Sequence, residues 1–175
     1  MKLIVAPLHE VAGLAARHQP SHLISLASPG QVDATLTDAS PHRLDLRFND
    51  IAESRAGLTP PTEADVAALL AFTASWDGAR PMLIHCWAGV SRSTAAAYVI
   101  ACVRSAPGRE AVWAARLRDA APTATPNPLI VALADRVLDR DGAMIRAVEA
   151  IGRGAETDWG VPFELDLTAE GDDRR

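Results

Sequence analysis

The sequence predicts an α/β fold: a central, mostly parallel sheet flanked by helices, with a helical C-terminal half. Three observations lead there. Two short branched apolar runs near the start, 3–6 and 22–27, are separated by a stretch with helical spacing, which reads as a β-α-β unit. The run Pro81-Met82-Leu83-Ile84-His85-Cys86 has the compact apolar character of a strand covered on both faces. Four segments of helix-forming composition, punctuated by Pro and Gly, follow it.

Taken in order, Leu3 to Ala6 is the first strand. Val11, Leu14 and Ala15 give Pro7 to Gln19 one helical face, and His22 to Ala27 is the second strand. Ser28-Pro29-Gly30 is a turn. Arg43 to Phe48 alternates polar and apolar residues as a half-buried strand does, and runs into Asn49-Asp50-Ile51. Past a Gly/Pro loop at 57–61, Thr62 is an N-cap, and Glu63 and Asp65 supply an acidic first turn. The helix they open carries Val66, Leu69, Leu70 and Phe72 on its apolar face and ends at Asp77-Gly78. Beyond the central strand, helices are expected at 93–104, 109–120, 128–139 and 143–151. A single domain over 1–152 should then give way to a polar tail, 153–175, with an edge strand at 162–167 and fraying beyond.

The chain has 175 residues, 49% of them hydrophobic and 22% charged, a profile that suits one packed domain and not a disordered chain. Seventeen basic against 22 acidic residues leave a net charge of −5, which gives no reason to expect nucleic acid or an anionic membrane surface as partner. Two cysteines, Cys86 and Cys102, argue against a disulfide framework and for a reducing compartment. Cys102, among Ala101 and Val103, reads as a small core residue. The opening apolar run is too short for a secretory segment, and no run approaches a membrane span of about 20 residues, so a cytoplasmic location is expected. His9, His18, His22 and His42 have no metal-like spacing and are expected as surface or capping groups; no metal and no cofactor are expected. Arg116, Arg118, Arg136, Arg140 and Arg146 fall on helices as solvated faces would.

The informative segment is His85-Cys86-Trp87-Ala88-Gly89-Val90-Ser91-Arg92-Ser93-Thr94, where a buried strand gives way to a helix. A loop in that place aims successive backbone N–H groups inward at a helix N-terminus and forms a concave site for a tetrahedral oxyanion. Gly89 lets the backbone curl tightly. Arg92 closes the ring and offers two phosphate oxygens a planar, bidentate fork that lysine could not match. In that positive environment Cys86 is the candidate nucleophile, attacking phosphorus in line. His85 is expected to orient the loop by hydrogen bonding and not to take a proton from substrate. Ser93 opens the helix and would bond the sulfur, its other reading being an N-cap alone. Trp87 is expected to pack against neighbouring helices, its other reading being a place on the pocket rim.

The segment HCWAGVSRST resembles the HCxxGxxR-S/T motif of the cysteine-dependent protein tyrosine phosphatases, and its AGVSRS core is most similar to the dual-specificity branch. The resemblance implies a dual-specificity phosphatase-like fold and a phosphomonoester hydrolase working through a phospho-cysteine intermediate. It also implies a phosphorylated substrate, either a phosphoprotein or a small phosphomonoester, and a phosphate-binding loop over residues 86–92 that phosphate or sulfate would occupy. Asp50, 36 residues before Cys86, matches the place of the family's general acid, with Asp45 and Glu53 as substitutes. Asn127, in Thr125-Pro126-Asn127, is similar to the family's loop-buttressing asparagine; read from the residues alone, it caps a helix starting at Pro128. Two other functions share the loop chemistry, a silent phosphate-dependent binding module and a rhodanese-type sulfur transferase. The position of Asp50 separates the first from an enzyme, and the Gly89 and Arg92 spacing favours phosphate over the second.

Overall fold

A computed structural model describes residues 1–31 and 39–168. Strands β1 (Lys2–Pro7), β2 (His22–Ala27), β3 (His42–Arg47), β4 (Met82–Cys86) and β5 (Phe163–Asp166) form one sheet in the order β3-β2-β4-β1-β5. The first four are parallel to their neighbours, and β5 runs antiparallel along β1. Every residue of β4 is buried, as its apolar run requires.

The alternation of side chains splits the core between the two faces. Ile4, Ala6, Leu23 and Leu83 meet Val11, Leu14 and Ala15 of α1 (Val11–His18) on one face. Leu3, Val5, Ile24, Leu26, Met82 and Ile84 meet the helical layer on the other. That layer comprises α2 (Glu63–Ala74), α3 (Arg92–Val103), α4 (Glu110–Ala120), α5 (Pro128–Val137) and α6 (Ala143–Ile151). Helix α3 lies at its centre, buried from Arg92 through Cys102, and its alanines 95, 96, 97 and 101 leave room for neighbours on all sides. Helix α2 starts as its sequence asks: Thr62 and Asp65 form a reciprocal capping box.

Some boundaries move. A 3-10 turn at Leu8–Glu10 delays α1 to Val11, and α3 begins at Arg92, which brings that arginine inside the helix. Helix α5 ends at Val137, shortly before Asp139 and Asp141 adopt left-handed backbone. Two side chains expected at the surface lie inside. His22 is buried, its ring nitrogens facing the Ser21 and Ser75 hydroxyls, because the strand alternation turns it under Phe72. Burial and the neighbouring His42 hold its imidazole below the usual histidine range. Arg140 forms a nearly buried ion pair with Glu110 at 2.9 Å, tying the end of α5 to the start of α4. The fraying expected past 167 falls mainly on residues 169–175, outside those described. Among the described residues no helix is long and apolar enough to cross a membrane.

Parallel pairing puts the C-terminal ends of β1 to β4 at one edge of the sheet, so the segments that follow them share one crevice. Cys102 lies far along α3 from that edge, and burial pushes its thiol up to about 12. Because the thiolate is the reactive form, iodoacetamide at pH 8 should leave Cys102 unlabelled in the native chain and label it after unfolding, as read by peptide mass spectrometry. Labelling in the native state would show that α3 opens readily.

Candidate active site

The loop from Cys86 to Arg92 is fixed by its carbonyls. Trp87 O accepts from Leu8 N (3.1 Å), Ala88 O from Gly160 N (2.8 Å), Val90 O from Thr125 N (2.9 Å) and Ser91 O from Asn127 N (3.3 Å). These four donors come from the ends of β1, the α4–α5 connection and the segment before β5. Across a trans peptide, C=O and the next N–H point oppositely. Carbonyls held outward therefore turn the amides of Ala88, Gly89, Ser91 and Arg92 inward. Gly89 shows it directly, donating to Cys86 Sγ at 3.2 Å. This position must be glycine: φ is +73°, and a Cβ there would lie 2.6 Å from Pro7 N.

Cys86 is buried at the end of β4, with Ser93 Oγ 3.2 Å from its sulfur; toward a thiolate the hydroxyl donates. Ser93 sits in the first turn of α3 but does not cap the helix. The N-cap position belongs to Ser91, whose own side chain makes no capping bond. Arg92 is also buried. Its Nη1 donates to Phe48 O (3.1 Å) and Ser28 Oγ (3.4 Å), which fixes the guanidinium against the end of β3. Its Nε has no hydrogen-bond partner among the described residues.

Asp50 stands beside that nitrogen, Oδ2 to Nε 3.8 Å, and is about one-third exposed. Its other oxygen, Oδ1, accepts from Ser91 Oγ (2.7 Å) and Asn127 Nδ2 (2.8 Å). The carboxylate is thus tied to the loop by one oxygen while the other faces Arg92. Asn127 does two things at once. Its Oδ1 accepts from Leu129 N and Ile130 N, both at 3.0 Å, as the cap of α5, and its Nδ2 reaches Asp50 and Ile51 O. The two readings of Asn127 are therefore compatible. Of the substitute acids, Glu53 is exposed, and Asp45 is held between Arg43 (2.8 Å) and Arg47 (2.9 Å). Burial opposes ionisation of Asp45, but the two guanidinium groups outweigh it and hold its carboxyl below the usual range.

His85, buried on the α1 side of β4 opposite Ser25 of β2, has Nδ1 3.4 Å from Cys86 O. Trp87 departs from expectation: it is half exposed, because a loop with inward amides turns its side chains outward. It is stacked at 5.7 Å on Trp159, whose edge meets His9. A cavity of about 280 Å³ opens beside the nucleophile, lined by Cys86, His85, Trp87, Leu8, Ser25 and Arg47 among others. Gly160, Leu8, Thr125, Ser28 and Arg47 are parts of the site that the motif did not reveal. Only Gly160 left a trace in the sequence: a Cβ on it would lie 2.8 Å from Gly89 O. No group of metal-ligating side chains occurs among the described residues.

No protein-family model and no curated protein matches the chain. Solved structures do. The Yvh1 phosphatase domain from Chaetomium thermophilum is 19% identical with a TM-score of 0.58, over 81% of this chain and 93% of that one. PTPMT1 in complex with PI(5)P is 15% identical with a TM-score of 0.57, over 83% and 94%. A second structure of PTPMT1 is 15% identical with a TM-score of 0.58, over 84% and 94%. At such identities the likeness is one of fold: the chain has the α/β fold of dual-specificity, cysteine-dependent phosphatase domains.

Asn127→Ala removes a helix cap and the anchor of Asp50 together. Cap loss alone costs about 0.5–2 kcal/mol, and at this chain size the melting midpoint should fall by roughly 2–4 °C per kcal/mol. Calorimetric melting measures it, and an unchanged midpoint would mean that Asn127 does not cap α5 in solution.

Proposed function

We propose that the protein is a cysteine-dependent phosphomonoester hydrolase of the protein tyrosine or dual-specificity type. The observation that carries this reading is the buried Nε of Arg92, a donor with no hydrogen-bond partner among the described residues. It sits in the wall of a loop whose amides face inward around Cys86. A buried donor without a hydrogen bond costs about 1–3 kcal/mol, and a phosphoryl oxygen, closer than Asp50 Oδ2 at 3.8 Å, would supply one. The fold supports the same chemistry.

In this mechanism the inward amides and the Arg92 fork hold three non-bridging phosphate oxygens. The Cys86 thiolate attacks phosphorus opposite the ester oxygen. As the S–P bond forms, the P–O ester bond breaks, and Asp50 passes a proton to the departing alkoxide or phenoxide. A water then attacks phospho-Cys86, losing its proton to Asp50, and the P–S bond breaks to release inorganic phosphate. The Ser93 hydroxyl, 3.2 Å from Sγ, donates to the departing thiolate. Because negative charge spreads over the equatorial oxygens during transfer, the pre-aligned amides and Arg92 supply most of the stabilisation. The position of Asp50 favours turnover over silent binding, since one carboxylate oxygen faces the loop arginine and the other is tied to Ser91 and Asn127. Substrates on this reading are phosphoproteins or small phosphomonoesters.

Hydrolysis of phenyl phosphate with a chelator present tests the reading. Cys86→Ser should abolish turnover, and Asp50→Ala should lower kcat by about 10²–10⁴-fold. Arg92→Lys keeps the charge but loses the fork, and should cost about 10²–10³-fold in kcat/KM. Wild-type protein that binds phosphate and turns over no phosphomonoester would instead make it a binding module.

A further inference from the structure

We propose that Arg47 is a second anion-binding residue of the site, selecting substrates that carry another phosphate beside the one removed. The inference rests on the phosphatase reading and adds a substrate class to it. Arg47 lines the same cavity of about 280 Å³ as Cys86. It stands at the end of β3, where the register pairs it with Ala27 of β2. Two residues earlier on the same face of β2, Ser25 pairs with His85, the neighbour of the nucleophile. Arg47 and His85 thus share one face of the sheet, two strands across and two residues along, about 11–12 Å between their Cα atoms, and the loop begins directly after His85.

The guanidinium is held in place. Its Nη2 donates to Asp45 Oδ1 at 2.9 Å, and the same oxygen accepts from Arg43 at 2.8 Å. Its Nη1 is buried and has no hydrogen-bond partner among the described residues. That makes it the second buried guanidinium nitrogen lacking a partner that lines or adjoins the site, after Arg92 Nε. Arg47 shares the Asp45 carboxylate with Arg43, so that carboxylate offsets only part of the charge Arg47 presents to the cavity. The loop cannot supply that charge. Between Cys86 and Arg92 it reads Trp-Ala-Gly-Val-Ser, without a cation. The cavity also holds Ser25 and Gln31, further hydrogen-bonding groups for a polar ligand.

The test separates binding from turnover. In a Cys86→Ser background, isothermal calorimetry compares fructose 1,6-bisphosphate with fructose 6-phosphate, with and without Arg47→Gln. The bisphosphate should bind at least tenfold tighter than the monophosphate, and Arg47→Gln should erase that ratio. Asp45→Asn, which frees Arg47 from its anchor without removing the charge, should narrow the ratio less than Arg47→Gln does. Equal affinities, a preference that survives Arg47→Gln, or loss of both ligands alike in that variant would overturn the inference. The parent chain, assayed for phosphate release from both sugars, reads the catalytic proposal separately. Turnover without a bisphosphate preference sinks only the role of Arg47, whereas preference without turnover sinks only the phosphatase.

Discussion

Everything at the site depends on one constraint, that a short loop keep its amides inward. A peptide plane turns as a unit, so the amides face in only if the carbonyls are bonded on the outside. Leu8, Gly160, Thr125 and Asn127 provide those bonds, from regions of the chain as far apart as β1 and the approach to β5. The order of the sheet makes this possible. With β4 at the centre, the loop emerges between the end of β1 on one side and the helical layer on the other. A donor set drawn from several elements costs little conformational entropy when a ligand arrives, because folding has already fixed it.

The constraint explains residues that look unrelated. Gly89 is required because its Cα passes against the end of β1, and Gly160 because its backbone must approach Gly89 closely enough to reach Ala88 O. Asn127 couples helix α5 to Asp50, so the general-acid candidate is held by the cap of a helix and not by a loop of its own. Ser91 joins the same group by giving up its capping bond to reach Asp50.

Much of this was legible in the sequence, and the reasons for the rest are physical. The strands and helices follow from hydrophobic periodicity, which reports burial directly. Cys86, Gly89, Arg92 and Ser93 were legible because they are contiguous, and their spacing fixes their geometry. Asp50 and Asn127 were visible through the family resemblance, being far from the loop in sequence. Leu8 and Thr125 left no mark, because a backbone amide is the same whatever side chain it carries. Trp87 was misjudged for a related reason. Its size argued for burial, but the direction of the loop's peptide planes decides where its side chain goes, and they turn it outward. Arg47 was hidden in an alternating strand, where nothing in the pattern Arg-Leu-Asp-Leu-Arg separates a solvated face from a cavity wall.

The distribution of charge follows from the same geometry. Asp50 Oδ2 lies 3.8 Å from Arg92 Nε. An arriving dianion must take over that arginine, and Asp50 is prevented from following it inward by Ser91 and Asn127, which grip only Oδ1. On the proposed phosphatase reading, Oδ2 is then the oxygen left to meet the departing ester oxygen. Asp45 plays the opposite part on the far strand. Both of its neighbouring arginines spend one nitrogen on it, which fixes their guanidinium groups. On the proposed reading one carboxylate exchanges a proton and the other positions a cation, and their surroundings, not their residue type, separate the two roles.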